Sequence, residues 1–213
     1  MHEKTIGLIS IFAGSLPAIA GMIVFNKAGF KHRILVLFLL YGFLSDVVKW
    51  QLYEHNYSFA QDSVFYIYAL IESVFFCWFI YQSSDIKPVS QTAFFLIFIF
   101  SVLWVFCYID FTLLTWKEST DEALFNTVYE MTVALLASYS ILRLTRINEP
   151  LVSIPDFWFL TAIFFFCLCT FFVDAFLQTP HMHRFWFIHD VFNIMTCFIY
   201  AYGFLKIETK SGS

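Results

Sequence analysis

The chain has 213 residues, of which 60% are hydrophobic, 22% aromatic and only 13% charged. Soluble domains usually contain about 45–50% apolar and about 25% charged residues, so this composition excludes both a soluble enzyme and a disordered chain. A membrane-spanning helix needs roughly 20 apolar residues. We therefore predict one all-α transmembrane domain over residues 1–213.

Seven apolar runs of spanning length follow one another along the chain. The runs are continuous rather than alternating, which favours helices over a barrel of strands. Short polar segments with turn residues separate them. We predict seven transmembrane helices, at about 5–25, 33–53, 63–82, 91–111, 123–144, 157–177 and 185–206.

The first run also resembles a signal peptide, because residues 18–20 have the small-x-small pattern of a cleavage site. A signal peptide carries its positive charge before the apolar run. Here Lys27, Lys31 and Arg33 follow it instead. We therefore predict a retained first helix with the N-terminus outside.

Basic residues are distributed unequally between the two sets of connecting segments. One side of the predicted membrane carries eight of them, including the C-terminal end, and the other side carries four. Since basic loops stay in the cytoplasm, we predict a plasma-membrane protein with a cytoplasmic C-terminus. The eight are Lys27, Lys31, Arg33, Lys87, Arg143, Arg146, Lys206 and Lys210.

The first run has a glycine at every seventh position, at Gly7, Gly14 and Gly21. Small residues let helix backbones approach closely in lipid, where apolar burial supplies little driving force. This spacing predicts a packing seam along the first helix.

Five acidic residues lie inside the predicted spans at more than one residue from either end. A carboxylate at the centre of a bilayer costs about 2.5–3.5 kcal/mol and usually faces the bundle interior. The predicted orientation places all five in the outer half of the membrane, which indicates a cavity open to the outside and closed toward the cytoplasm. The five are Asp46, Glu72, Glu130, Asp174 and Asp190.

Other polar side chains accompany these acids at helical spacing. On the fifth helix Asn126 and Tyr129 share a face with Glu130, and on the seventh His189 and Asn193 lie four residues apart. We predict that the following residues line a ligand-binding site: Asp46, Tyr68, Glu72, Asn126, Tyr129, Glu130, His189, Asp190 and Asn193.

The chemistry of this set is compatible with several occupants. Glu72, Glu130, His189 and Asp190 have the carboxylate and imidazole groups that ligate a divalent metal such as zinc or manganese. A cationic ligand would instead use the carboxylates together with aromatic faces. The acids could also form a proton relay, or simply hydrogen-bond neighbouring helices and fix their packing.

Several other functions lack their signatures. Lys206 lies at the cytoplasmic end of the seventh run, so a retinal Schiff base is not supported. The sequence has no glycine-rich loop of the kind that binds the phosphates of a nucleotide. Its few basic residues argue against nucleic acid as a partner. His181 and His183, in the loop before the seventh helix, either add ligands to a metal site or are simply solvated.

Three stretches, Tyr68–Ser73, Pro155–Trp158 and Trp186–Asn193, resemble an uncharacterised family of small seven-span membrane proteins of Bacteroidetes-type bacteria. The resemblance covers most of the chain. It implies the seven-span architecture and draws attention to Glu72 and His189, and it implies no activity.

More distantly, the chain is similar to the ceramidase and progestin-receptor superfamily of seven-span, zinc-dependent hydrolases. The similarity lies in the number of helices and in acid, serine and histidine residues within the spans. That superfamily carries two histidines four residues apart in its seventh helix, whereas here the residue four positions after His189 is Asn193. The difference argues against zinc hydrolysis.

Together these features predict a protein embedded in the lipid bilayer that binds a small ligand or cation from outside, for sensing or transport. A sensor would need a separate signalling partner on the cytoplasmic face. Two alternatives stay open: a metal-dependent intramembrane hydrolase, and a structural subunit of a membrane complex.

Overall fold

A computed structural model describes most of the chain as helix. Backbone is described for residues 2–84, 86–113, 120–146, 150–177 and 186–211. Side chains are described within 5–84, 86–107, 125–146, 150–173 and 187–207. The helices are α1 (His2–Val24), α2 (Phe30–Glu54), α3 (Ser58–Ser83), α4 (Lys87–Leu113), α5 (Thr120–Leu144), α6 (Pro155–Leu177) and α7 (Trp186–Ser211).

These seven helices coincide with the seven predicted runs. A 3-10 turn at Leu151–Ser153 precedes α6, and no strand occurs in the backbone described above. Each helix begins and ends within about five residues of its predicted limits, because a helical turn or two of polar sequence continues beyond the apolar part. The prediction of an all-α chain is confirmed.

Six of the seven helices are long and apolar enough to cross a membrane, which agrees with a multi-pass membrane protein. The helix that does not reach this criterion, within its described residues, is α5. It carries Asn126 and Glu130 one turn apart, with Thr127 and Tyr129 between them. These polar residues lower its mean hydropathy below that of a purely lipid-facing helix.

The helices form a closed ring in chain order. Each packs against the next, and α7 packs against α1 to complete the ring. The helix α3 also contacts α5 and α6 across the interior, and it has the largest buried share of the six apolar helices. Chain direction alternates, so the bundle has an α2–α3 end, where α2 ends and α3 begins, and an opposite α3–α4 end. Because it contacts helices on both sides and across the interior, α3 is the central helix of the bundle.

The glycines of α1 face α2 and α7, as the seam prediction requires. A Cβ atom on Gly21 would lie 2.5 Å from Val36 Cγ2 and 3.2 Å from Phe204 Cζ. At Gly7 and Gly14 the nearest contacts would be at 3.7 Å or more, which is ordinary van der Waals distance. The approach of α1 to its neighbours is therefore closest at Gly21.

Aromatic side chains fill the half of the bundle nearer the α3–α4 end. Phe79, Phe159 and Phe204 are completely buried. The ring centroids of Phe159 and Phe204 are 4.8 Å apart, and those of Phe79 and Phe159 are 6.1 Å apart in an edge-to-face arrangement. Such contacts favour a dense and rigid layer.

Candidate functional site

A cavity of about 410 Å³ lies between α2, α3, α5, α6 and α7, on the α2–α3 side of the aromatic layer. Along α3 its lining extends from Gln61 to Glu72, which is about 16 Å at 1.5 Å per residue. Asp62 at the outer end is exposed, whereas Glu72 is only 3% exposed. The volume matches that of small-molecule sites, which range from about 300 to 1,000 Å³, and far exceeds the space that a single ion needs.

Most of the predicted site residues lie on this cavity. Eight of the nine line it, although they come from four different helices. Gln61, Asp62, Phe65 and Phe166 also line it and were not singled out from the sequence. The eight are Asp46, Tyr68, Glu72, Asn126, Tyr129, Glu130, His189 and Asn193.

Glu72 forms the floor of the cavity and is held by tyrosines. The Tyr129 hydroxyl donates a hydrogen bond of 2.6 Å to Glu72 Oε2, and the Tyr68 hydroxyl interacts with the same carboxylate. Tyr129 itself is 3% exposed. A buried carboxylate needs such donors, since without them its desolvation is costly. The pair also joins α5 to α3 across the interior.

Asn126 and Glu130 are one turn apart on α5 and are 6% and 4% exposed. Asn126 Oδ1 accepts no hydrogen bond from any residue whose side chain is described. A buried acceptor left in this state costs about 1–3 kcal/mol. The Asn126 carbonyl oxygen is itself buried from the cavity space, so other atoms of this residue form its part of the cavity wall.

An ion pair lies nearer the mouth. Lys49 Nζ is 2.7 Å from Asp46 Oδ1, within one helical turn of α2. The same ammonium lies 5.0 Å from the ring centroid of Tyr68 and 5.7 Å from that of Phe65, which is cation–π distance. Lys49 therefore neutralises Asp46 and occupies the neighbouring aromatic faces.

The ninth predicted residue, Asp190, lies elsewhere. Its carboxylate interacts with Ser10 of α1 and lies 4.0 Å from the Cβ position of Gly7. Asn193 also reaches α1, since its Nδ2 donates a hydrogen bond of 3.0 Å to Ser10 Oγ. Successive helical residues point about 100° apart, so His189 lines the cavity while Asp190 packs between α7 and α1.

This placement separates the four predicted metal ligands. Among the residues with described side chains, no three His, Cys, Asp or Glu groups come together to hold a metal ion. The set of Glu72, Glu130, His189 and Asp190 is therefore not assembled, because Asp190 faces α1. His181 and His183 and the side chain of Asp174 lie outside the described residues.

A smaller cavity of about 60 Å³ adjoins the first, between α1, α2, α3, α6 and α7. The two share Asp46, Tyr68 and Glu72 among their walls. Tyr200 lines the smaller one, is 4% exposed and has no hydrogen-bond partner for its hydroxyl among the described residues. The space is enough for a few water molecules at about 10–15 Å³ each. Phe159, whose ring is 6.4 Å from that of Tyr200, lies beyond it.

A second polar cluster lies at the α3–α4 end and was not predicted as a site. Asp156, at the start of α6, forms an ion pair with Lys31, and its other oxygen lies 2.7 Å from His32 Nε2. Lys31 Nζ also lies 3.4 Å from Ser83 Oγ at the end of α3. The His32 ring lies 5.2 Å from the ring of Phe159. The cluster thus ties three helices together just outside the aromatic layer.

Comparisons of the chain with protein-family models, with curated proteins and with solved structures found no match. The class of the protein follows from its helices alone: it is all-helical, with helices of the length and hydropathy of a multi-pass membrane protein. The resemblance to the small seven-span bacterial family and the more distant one to the ceramidase and progestin-receptor superfamily stay predictions.

Proposed function

We propose that this chain is a seven-span plasma-membrane protein whose cavity opens to the outside and binds a small cation, for sensing or transport. The observation that carries the proposal is the charge of the cavity. Among the described residues that line it, four carry a carboxylate and one, Lys49, carries an ammonium. In a bundle of low dielectric this excess of negative charge attracts a cation and repels an anion. The four are Asp46, Asp62, Glu72 and Glu130.

The burial of α5 supports its inclusion as a seventh span. Asn126, Tyr129 and Glu130, which lower the hydropathy of this helix, all face the cavity and are buried. The opposite face presents Met131, Leu135 and other exposed apolar side chains. A helix of this kind can cross a membrane as part of a bundle, because its polar groups never meet lipid.

The orientation is tested by labelling single cysteines in intact cells. Gln61 lies at the mouth of the cavity and Asn26 lies in the loop between α1 and α2, at the other end of the bundle. A membrane-impermeant maleimide should label Gln61→Cys in intact cells and Asn26→Cys only after lysis. The chain without either substitution is the control, since most of its own cysteines are buried. The reverse labelling pattern would place the cavity on the cytoplasmic face and overturn this part of the proposal.

Ligand binding is tested by thermal unfolding of the purified protein in detergent with a panel of small cations, neutral molecules and anions. We expect stabilisation by cations alone, and its loss in the double variant Glu72→Gln, Glu130→Gln. The exposed Glu54, away from the cavity, provides the matched control Glu54→Gln. Equal stabilisation by anions, or no stabilisation by any cation, would overturn the proposal.

A further inference from the structure

The mouth of the cavity already holds an ammonium group, that of Lys49, and the groups around it define the kind of cation that fits there. We propose that Asp46, Phe65 and Tyr68 form a site for a quaternary ammonium group, which a ligand enters by displacing the Lys49 side chain. This inference rests on the proposed function, because it names the class of cation that the cavity receives and the position of its charge.

The first observation is that three groups surround one position, the nitrogen of Lys49. Asp46 Oδ1 lies 2.7 Å from it. The nitrogen also lies over the ring of Tyr68, 5.0 Å from the centroid, and over the ring of Phe65, 5.7 Å from the centroid. Aromatic faces of this kind recognise organic ammonium ions, and a carboxylate adds charge attraction. Lys49 therefore marks the place that the charge of a ligand would take.

The second observation is the spacing between this nitrogen and the two rings. In a quaternary ammonium a methyl group stands between the nitrogen and a ring. The N–C bond is about 1.5 Å long, and a carbon–carbon contact adds about 3.5–4.0 Å. The nitrogen of such a group lies about 5 Å from a ring face, which is close to the two distances found for Lys49. A primary ammonium at the same point leaves a gap toward both rings.

The third observation is that the Tyr68 ring is held in place. Its hydroxyl interacts with the Glu72 carboxylate, and its ring stacks on that of Tyr41 with centroids 6.0 Å apart. A Cβ atom on Gly42 would lie 3.4 Å from the Tyr68 hydroxyl, so α2 also packs closely against it. An aromatic face that is already ordered costs little to organise when a ligand binds.

The fourth observation is that Lys49 can leave the site without becoming buried elsewhere. The side chains of Lys49 and Asp46 are 20% and 30% exposed. Lys49 lies five residues before Glu54, where α2 ends, which is about 7.5 Å along the helix. A lysine stem of this length lets the ammonium extend to water. The stem leaves with the charge and vacates room for methyl groups. Without a ligand, Lys49 keeps Asp46 paired and acts as a tethered competitor.

Three probes with the same two-carbon hydroxyl tail test the inference. Choline has a trimethylammonium head, ethanolamine a primary ammonium, and 3,3-dimethylbutan-1-ol a neutral head of the same shape as that of choline. Binding to the full-length protein is measured by calorimetry in a maltoside detergent, because detergents with a choline head would compete. We expect choline to bind at least about fivefold more tightly than either of the other two, as for a cation–π contact of about 1 kcal/mol.

Two substitutions of Lys49 separate the loss of its charge from the opening of the site. Lys49→Met removes the charge but keeps a long side chain that can cover the aromatic faces. Lys49→Ala removes the charge and uncovers the faces. We therefore expect choline to bind Lys49→Ala about fivefold more tightly than Lys49→Met, whereas ethanolamine should bind the two variants equally.

Phe65→Leu tests the site with the Lys49–Asp46 pair left in place. It removes one aromatic face and keeps an apolar side chain, so the affinity for choline should fall about fivefold and that for ethanolamine by less than about twofold. The matched control is Phe94→Leu on α4, where the side chain is 64% exposed and is absent from the cavity lining. It should leave both affinities unchanged.

The outcomes separate this inference from the proposed function. Equal affinity of the parent chain for choline and ethanolamine overturns the inference, and so does an unchanged choline affinity in Phe65→Leu or equal choline binding to the two Lys49 variants. In each of these cases cation binding itself stands. If 3,3-dimethylbutan-1-ol binds as tightly as choline, the site does not recognise charge and the inference is again wrong. If no probe binds and no cation stabilises the protein, the proposed function fails as well.

Discussion

The hydroxyl of Tyr129 donates a 2.6 Å hydrogen bond to the carboxylate of Glu72, and this contact joins α5 to the central helix α3. Both residues are 3% exposed. Their pairing satisfies a carboxylate at the centre of an apolar bundle, and it fixes the floor of the cavity at a position that a ligand can reach from one end.

The first prediction concerns this hydrogen bond. Tyr129→Phe removes the donor but keeps the ring, so we expect the free energy of unfolding to fall by about 1–3 kcal/mol. Tyr139→Phe on the same helix is the control, because Tyr139 is 40% exposed and, within the described part of the chain, its hydroxyl accepts from Arg143 alone. It should change stability by less than about 0.5 kcal/mol. Unfolding by SDS in mixed micelles measures both, and equal effects would show that the Glu72 contact contributes little.

The second prediction concerns the closest approach of α1 to its neighbours. Gly21→Ala places a Cβ 2.5 Å from Val36 Cγ2, so the helices must shift, and overpacking of this kind costs about 1–3 kcal/mol. The Cβ atom of Gly14→Ala would lie 3.9 Å from its nearest neighbour, Phe43 Cδ2. It should be neutral or stabilising by up to about 1 kcal/mol, since alanine favours a helix over glycine. Thermal unfolding of the two variants compares them directly, and a tolerant Gly21→Ala would contradict the packing described for α1.

The third prediction concerns the ion pair that links α2 to α6. Lys31 and Asp156 keep side-chain exposures of 24% and 19%, so solvent screens part of their attraction. A double-mutant cycle with Lys31→Met and Asp156→Asn should give a coupling free energy of about 0.5–1 kcal/mol. The cycle is its own control, because strictly additive single effects would show that the pair does not stabilise the fold.

The fourth prediction tests the charge of the cavity. Lys49→Met removes the one ammonium among the described lining residues and leaves Asp46 without its partner at 2.7 Å. The cavity then gains net negative charge, so cation binding should tighten by roughly 1 kcal/mol, or about fivefold. Lys87→Met at the α3–α4 end is the matched control and should have no effect. Thermal unfolding with the panel of small cations measures the change, and weaker stabilisation of Lys49→Met would show that the lysine itself holds the ligand.

Helical spacing alone predicted much of the lining. Asn126, Tyr129 and Glu130 lie on one face of α5 whatever that helix packs against, and all three line the cavity. The prediction for α7 was less complete. His189 and Asp190 are adjacent in the sequence and point about 100° apart on the helix. Both are polar residues in an apolar helix, so the sequence does not say which of them faces the cavity. Packing against α1 turns Asp190 toward Ser10 and leaves His189 at the cavity.

The pairing of Asp156 with Lys31 and His32 was also beyond the sequence. More than a hundred residues separate Asp156 from its partners, and each of the three is by itself an ordinary polar residue at a helix end. They become neighbours only because the starts of α2 and α6 lie near the end of α3 in the folded bundle.

By itself the sequence determined the class of protein, the seven helices and their limits, because apolar length and polar interruptions are local properties that do not depend on packing. The tertiary structure decided which polar groups share a cavity and which pair elsewhere. Helices that are apolar on nearly every face carry little information about their own rotation. That rotation is fixed by close contacts between helices, such as Gly21 against Val36 and Tyr129 against Glu72, and the cavity is a consequence of those contacts.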